Sequence, residues 1–141
     1  MAAPVKRERR QMARATVLIV DDDPSARRLM RDSLTYLGDE YEILEADDGR
    51  SGLDLIRAAQ PDVVLLDISM PELGGVPVCS EIKGDPATAN IEIVIVSART
   101  EPDFIDASLN AGASDYVTKP FQPRDLVRRV RRVLDKVGAS A

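Results

Sequence analysis

Side chains that can do polar chemistry follow directly after the most apolar stretches of this sequence. The run "TVLIV" is followed by three aspartates, and the run "VVLL" is followed by Asp67. The run "IEIVIVS" ends in Ser97, and the segment "DYVTKP" carries Lys119. Asp67 therefore stands at the mouth of an apolar run, just before a Met-Pro loop. The repeated pattern indicates a site assembled from several segments of the chain.

The types of these residues limit the chemistry. The chain has no histidine and one cysteine, which excludes a Ser-His-Asp triad, a Cys-His pair, His-ligated zinc and a phosphohistidine made within the chain. Crowded carboxylates repel one another unless a cation intervenes, and a few carboxylates with a phosphoryl group are the usual surroundings of Mg²⁺. Lysine and hydroxyl groups bind phosphate oxygens. An aspartate can itself be the nucleophile and become an aspartyl-phosphate.

Short apolar runs alternate with helical patterns along residues 16–137. The predicted strands are 16–20, 41–46, 63–66, 91–97 and 115–118, and the predicted helices are 25–37, 49–59, 77–83, 103–110 and 123–137. Five strands that alternate with five helices predict an α/β fold with a parallel sheet covered on both faces. Ligands of such sheets bind beyond the carboxyl ends of the strands, where the polar residues lie.

Each feature also has a plainer explanation when it is taken alone. Asp23 and Pro24 suit the first turn of a helix, Asp67 could begin a turn, and Lys119 could be a solvated loop residue. Four strand ends that each carry a suitable group favour a common site.

The segments "VLIVDDDP", "VVLLDISMP", "IVIVSA" and "GASDYVTKPF" resemble, in this order and spacing, the receiver domain of two-component response regulators. The resemblance covers residues 16–137, between a flexible basic leader at 1–15 and a tail at 138–141. It implies a flavodoxin-like three-layer α/β/α sandwich with a five-stranded parallel sheet in the order 2-1-3-4-5 and five helices.

The resemblance implies a role for each matching position of the phosphorylation site. Asp67 resembles the phosphoacceptor. Asp21 and Asp22 resemble the acidic pair that binds Mg²⁺ together with Asp67 and the backbone carbonyl of Ser69. Lys119 resembles the cation that pairs with the phosphoryl oxygens.

The resemblance also implies a switch and a set of neighbours. Ser97 resembles the hydroxyl that turns toward the phosphoryl group, and Tyr116 the aromatic residue that moves inward with it. Ala98 leaves access to the site, Arg99 lies where the family tunes dephosphorylation, and Pro120 shapes the lysine loop, often through a cis peptide bond.

The implied function is that of a signalling module that catalyses its own phosphorylation and dephosphorylation. A phosphoryl group passes from the phosphohistidine of a sensor histidine kinase or a histidine phosphotransfer protein to Asp67. The added charge then switches an interaction surface for a downstream output protein, a fused output domain or a phosphorylation-dependent homodimer. Ile105, Leu109, Arg128 and Arg132 are the candidate interface residues, although a solvated helix face explains the basic residues equally well.

Two alternatives remain. The chain could be a receiver fragment of a larger regulator with an enzymatic or DNA-binding output domain. A Mg²⁺-dependent phosphatase with an aspartyl nucleophile belongs to another class, but it needs a second acid where this chain has Ser69. The chain has no membrane-length apolar run and no signal peptide, so a cytoplasmic location is expected. The net charge is −5, and nucleic-acid binding by this chain is not expected.

Overall fold

The computed structural model describes residues 14–70 and 75–140, with side chains described as far as residue 136. The proposed leader therefore lies almost entirely outside the described residues, as does Ala141 of the tail. Within the described residues, strands and helices alternate strictly along the chain. In chain order they are β1 (Ala15–Val20), α1 (Pro24–Leu37), β2 (Tyr41–Ala46), α2 (Gly49–Ala59), β3 (Val63–Leu66), α3 (Gly75–Gly84), β4 (Glu92–Ser97), α4 (Pro102–Asn110), β5 (Asp115–Thr118) and α5 (Pro123–Ser140).

The strands form one sheet in the order β2-β1-β3-β4-β5, and all four pairings are parallel. The strand order and fold class expected from the resemblance are thereby confirmed. Val20, the last residue of β1, is level with Ala46 on one side and Leu66 on the other. The carboxyl ends of these strands therefore open onto the same edge of the sheet.

The core lies on both faces of the sheet because successive side chains of a strand point to opposite faces. Leu18 and Val20 pack on the side of α2 and α3, whereas Val17 and Ile19 pack on the side of α1 and α5. All residues of β3 are fully buried. Burial of each such aliphatic side chain contributes roughly 1.5–3 kcal/mol, which is why the central strands are continuous apolar runs.

The cap expected at the start of α1 is present, and α2 has a similar one. The Asp23 carboxylate accepts a hydrogen bond of 2.9 Å from the backbone amide of Ser25, and Pro24 occupies the first turn of α1. Asp48 accepts a bond of 2.7 Å from the amide of Ser51 at the start of α2. These bonds satisfy amide groups that have no partner within the helix.

Several element boundaries differ from those expected. Helix α3 begins at Gly75 rather than Pro77 and includes Gly84. Pro77 can lie within the first turn because a proline there loses no intrahelical hydrogen bond. Strand β4 begins at Glu92 rather than residue 91, and helix α4 begins at Pro102 rather than 103. Helix α5 extends to Ser140 instead of ending at 137. In the described part of the chain, no helix is long and apolar enough to cross a membrane.

Candidate functional site

Four strands deliver the candidate residues to one edge of the sheet. Asp21 follows β1, Asp67 follows β3, Ser97 is the last residue of β4, and Lys119 follows β5. The backbone amide of Asp67 donates to the carbonyl of Val20 at 3.0 Å, which carries the β1–β3 pairing up to the site. Residues that are far apart in sequence therefore meet because their strands are parallel neighbours.

Three carboxylates converge at this edge. Oxygen atoms of Asp21, Asp22 and Asp67 all lie within 4.8 Å of one another. Asp21 is fully buried and Asp67 is only 6% exposed, whereas Asp22 is exposed. Burying carboxylates is costly unless charge and hydrogen bonds compensate for the lost water.

Lys119 supplies part of that compensation. Its Nζ donates to Asp21 Oδ2 at 2.7 Å and to Asp67 Oδ2 at 3.4 Å. Burial raises the pKa of Asp21, and the bond from Lys119 opposes that rise. Burial also disfavours the Lys119 ammonium, but its bonds and attraction to the two carboxylates outweigh this effect and raise the pKa of Lys119. The lysine is therefore held as a cation directly beside Asp67.

The backbone of Lys119 is also anchored. Its amide donates to the Ser97 carbonyl at 2.8 Å, and the peptide bond between Lys119 and Pro120 is cis.

The donor set fits the Mg²⁺ expected at this site. Mg²⁺ prefers oxygen ligands and is usually held by one or two carboxylates, water and substrate phosphate. The exposed Asp22 carboxylate and the two buried ones offer three such oxygens within 4.8 Å of one another. The amide of Ser69 donates to Asp67 Oδ1 at 2.9 Å, which holds the loop after β3 against the phosphoacceptor candidate.

Two hydroxyl groups meet beside this cluster. The Oγ atoms of Ser69 and Ser97 lie 3.1 Å apart, and Ser97 Oγ also accepts a bond of 3.2 Å from the backbone amide of Arg99. The Tyr116 hydroxyl donates to the Arg99 carbonyl at 2.5 Å, and burial raises the pKa of Tyr116. One residue, Arg99, thus connects the candidate switch hydroxyl to the candidate switch aromatic through its backbone.

The side chain of Arg99 contacts Glu101 and Phe104, at the start of α4. Its Nε lies 3.3 Å from Glu101 Oε2, and its guanidinium carbon lies 3.7 Å from the centre of the Phe104 ring. Ala98 and Pro120 are exposed beside the site.

The candidate interface residues lie on α4 and α5. Ile105 is half-buried, and Leu109 is 43% exposed. Arg128 and Arg132 are exposed on α5, and Arg128 forms an ion pair with Asp125 of its own helix.

Other arginines of this helix, expected to form a basic face, are engaged within the chain. Arg129 bonds Asp115 at 2.7 Å and Asp125 at 3.0 Å, and Arg131 bonds Asp39 at 3.2 Å. The basic face is therefore partly neutralised.

Sequence reasoning missed Arg27 and Glu45. Arg27 Nη1 donates to the backbone carbonyl of Asp21 at 2.7 Å, and Arg27 Nε donates to Glu45 Oε1 at 3.1 Å. The available signal was a positive charge on α1, Arg27, and a negative charge on β2, Glu45. Glu45 is paired in register with Ile19 of β1, the strand that leads into α1. That signal has meaning only once β1 and β2 are known to be neighbours.

Comparison with known proteins agrees with this geometry. The family model for the response regulator receiver domain matches residues 17–131. The chain belongs to the response regulator receiver domain family. This receiver is 38% identical to the phosphate regulon transcriptional regulatory protein PhoB of Pseudomonas aeruginosa. The alignment spans 127 residues and covers 90% of this chain and 55% of the relative. The receiver is 41% identical over 133 residues to the response regulator MprA of Mycolicibacterium vanbaalenii, covering 89% and 55% respectively.

A solved structure shares the fold of this receiver. The chemotaxis protein CheY4 of Vibrio cholerae superposes with a TM-score of 0.79 at 30% identity, over 86% of this chain and 99% of the other. The chain spans about half the length of the curated relatives it matches, between 46% and 55% of each. Members of the family act as signalling modules with histidine kinases and output domains.

Proposed function

We propose that this receiver accepts a phosphoryl group on Asp67 from the phosphohistidine of a partner protein in a Mg²⁺-dependent reaction. The observation that carries the proposal is the convergence of Asp21, Asp22 and Lys119 on the buried Asp67 carboxylate. Membership of the receiver family supports the donor class. These 141 residues contain no histidine, so the proposed donor is a sensor histidine kinase or a histidine phosphotransfer protein, and a small phosphodonor can take its place in an assay.

In the proposed reaction, a carboxylate oxygen of Asp67 attacks phosphorus. The O–P bond forms as the P–N bond to the donor imidazole breaks, and the imidazole nitrogen leaves. Phosphoryl transfer of this kind depends on positioning and on charge stabilisation. Lys119, already 3.4 Å from Asp67 Oδ2, neutralises charge on the transferred group. Mg²⁺ held by Asp21, Asp22, Asp67 and the carbonyl of Ser69 would bind phosphoryl oxygens and offset their negative charge.

Hydrolysis of the aspartyl-phosphate resets the site. Water then attacks the phosphorus, and the O–P bond to Asp67 breaks. The exposed Ala98 leaves an approach open, and the orientation of Arg99 toward Glu101 and Phe104 leaves that approach unblocked.

We propose that the phosphoryl group is reported through Ser97 and Tyr116. Phosphorylation adds about −1.5 to −2 charges near neutral pH, and the new oxygens accept a hydrogen bond from Ser97. That bond competes with the contact between Ser97 and Ser69 and with the bond from the Arg99 amide. Tyr116, which holds the Arg99 carbonyl, then moves with the loop and alters the outer surface of α4, β5 and α5.

Intact-mass spectrometry tests the phosphoacceptor. The receiver is incubated with Mg²⁺ and a small acyl-phosphate donor, and the Asp67→Asn variant is the control. We expect one phosphoryl increment in the wild type, labile at high pH, and none in the variant. An increment of the same size in Asp67→Asn would place the phosphate elsewhere, and the absence of any increment in folded wild type would reject the reaction.

We further propose that the receiver serves a longer regulator with a DNA-binding output. This proposal rests on its relatives, which include a transcriptional regulatory protein, and on the half-length coverage. Sequencing the gene beyond the codon for Ala141 decides the matter, because a stop codon there would leave a separate output protein or a homodimer as the readout. The cytoplasmic location remains a prediction.

A further inference from the structure

Every polar group of Asp21 has a partner. Its amide donates to the carbonyl of Ala46 at 3.1 Å, and its carbonyl accepts from Arg27 Nη1 at 2.7 Å. Its carboxylate accepts from the amide of Asp23 at 2.9 Å and from Lys119 at 2.7 Å. Asp21 is therefore held from β2, from α1, from its own turn and from the loop after β5.

Asp22 is held differently. It is exposed, and among the described residues no hydrogen bond or ion pair holds its carboxylate. The direction of this side chain depends on the backbone, and the first constraint on that backbone is the planar peptide that joins Asp21 to Asp22. The Asp21 carbonyl is one end of that peptide, and the bond from Arg27 holds that end in place.

Arg27 is itself fixed in place. Its Nε donates to Glu45 Oε1 at 3.1 Å, while the other carboxylate oxygen of Glu45 accepts from Arg31 Nε at 2.6 Å. The Arg27 side chain is 18% exposed and that of Arg31 is 42% exposed. Arg27 is thus the inner member of a pair of arginines that share one glutamate, and the inner arginine is the one that contacts Asp21.

We propose that Arg27, held by Glu45, is a positioning residue for the Mg²⁺ site. It fixes the peptide between the two acids so that the Asp22 carboxylate stays on the same side as those of Asp21 and Asp67. This inference rests on the proposed function, since it concerns the same acidic pair. Groups that orient metal ligands typically change metal affinity by about 10- to 100-fold when they are lost.

Whether Mg²⁺ affinity rises or falls distinguishes a positioning role of Arg27 from an effect of its charge. Arg27 is a cation near a site for another cation, so the loss of its charge alone would strengthen Mg²⁺ binding. The loss of the bond to the Asp21 carbonyl frees the peptide and weakens Mg²⁺ binding. Arg31 bonds the same glutamate and carries the same charge, but its other bond goes to the Ile43 carbonyl at 3.3 Å rather than to Asp21. Arg31→Met is therefore the matched control.

Mg²⁺ dissociation constants are measured by isothermal titration calorimetry for the wild type, Arg27→Met, Arg31→Met and Asp22→Ala. The free energy of unfolding of each is measured by urea denaturation in EDTA. We expect Arg27→Met to raise the dissociation constant by roughly tenfold and Arg31→Met to leave it unchanged or lower it. An unchanged or lower value for Arg27→Met would overturn the inference, as would equal weakening by the two methionine variants.

A second substitution covers the case in which Arg27→Met does not fold. Arg27→Lys keeps the charge, but a single ammonium group lacks the planar fork that bonds Glu45 and the Asp21 carbonyl together. We expect the dissociation constant of Arg27→Lys to lie between those of the wild type and Arg27→Met, or several-fold above the wild type where only the lysine variant folds. Wild-type affinity in the lysine variant would overturn the inference, as would equal weakening in Arg27→Lys and Arg31→Met.

Failure of the inference and failure of the proposed function give different results. A wild type that binds Mg²⁺ no more tightly than Asp22→Ala would overturn the metal site itself, and the inference with it. A wild type that binds more tightly than Asp22→Ala, with Arg27→Met equal to the wild type, would overturn only the role of Arg27.

Discussion

Gly75, the first residue of α3, lies directly against the backbone of the proposed phosphoacceptor. A Cβ atom at this position would lie 2.5 Å from the Asp67 carbonyl oxygen, 2.5 Å from the Cα of Ile68 and 2.6 Å from its Cγ2. Non-bonded heavy atoms are most stable at roughly 3.5–4.0 Å, so Gly75→Ala requires a backbone shift of about 1 Å. Two of the three atoms belong to the backbone and have no rotamer that relieves the contact.

Two opposing effects determine how far Gly75→Ala changes the free energy of unfolding. Overpacking of this kind costs roughly 1–3 kcal/mol, whereas replacing glycine by alanine in a helix gains at most about 1 kcal/mol. We therefore expect Gly75→Ala to lower the free energy of unfolding by about 1–2 kcal/mol.

Gly84, at the other end of α3, is the matched control. Apart from its chain neighbours and the backbone of its own helix, no atom of the described residues would lie within 4 Å of a Cβ atom on Gly84. Gly84→Ala is expected to raise the free energy of unfolding by about 0.4–1 kcal/mol.

Urea denaturation measures both values, and phosphorylation by a small acyl-phosphate donor measures the effect on the site. A displacement of about 1 Å at a reacting group costs roughly 100-fold in rate, so Gly75→Ala should be phosphorylated far more slowly than Gly84→Ala. Equal changes in stability for the two variants would refute the steric argument. Wild-type phosphorylation in Gly75→Ala would show that the contact does not position Asp67.

Two further perturbations test the switch and the core. Ser69→Ala removes the contact with the Ser97 hydroxyl, which is worth about 1 kcal/mol and competes with the proposed bond from Ser97 to the phosphoryl group. The phosphorylated state is then more stable by that amount, so we expect its lifetime to lengthen by about fivefold. A lifetime equal to that of the wild type would show that Ser69 has no part in the switch. Burial raises the pKa of the Cys79 thiol from 9.0 to about 11, so the folded state holds this proton more tightly than the unfolded chain does. The resulting stability is complete below pH 9 and is lost as the pH rises to about 11, by up to about 3 kcal/mol. Denaturation at pH 8 and pH 11 should show a smaller loss in Cys79→Ala, and parallel losses would contradict the assignment.

The alternation of apolar runs and amphipathic helices was sufficient to predict the α/β class and its five strands. The sequence was less informative at element ends, where several conformations are close in energy. Pro77 was expected to begin α3, but the helix begins at Gly75, since the missing amide of a first-turn proline costs nothing. Strand order came from resemblance to a known family, because periodicity reports which face of a strand is buried and not which strand is its neighbour.

For the candidate site as well, some features could be predicted from the sequence and others could not. Residues that directly follow strands, such as Asp67 and Lys119, could be named from the sequence because parallel strands of an open sheet end at one edge. The engagement of Arg129 and Arg131 with Asp115 and Asp39 could not, since these contacts cross between elements. A basic helix face in a sequence does not reveal how much of its charge is already compensated.

By itself, the sequence determined which segments are buried, which residue types stand at the strand ends, and that no histidine chemistry is available within the chain. These properties depend on local order, which a linear pattern records. Only the tertiary structure decided that Ser69 meets Ser97, that Lys119 bridges Asp21 and Asp67, and that Arg27 holds the peptide between the two acids. Each of these contacts joins groups from different parts of the fold, and a shift of about 1 Å in packing would break it.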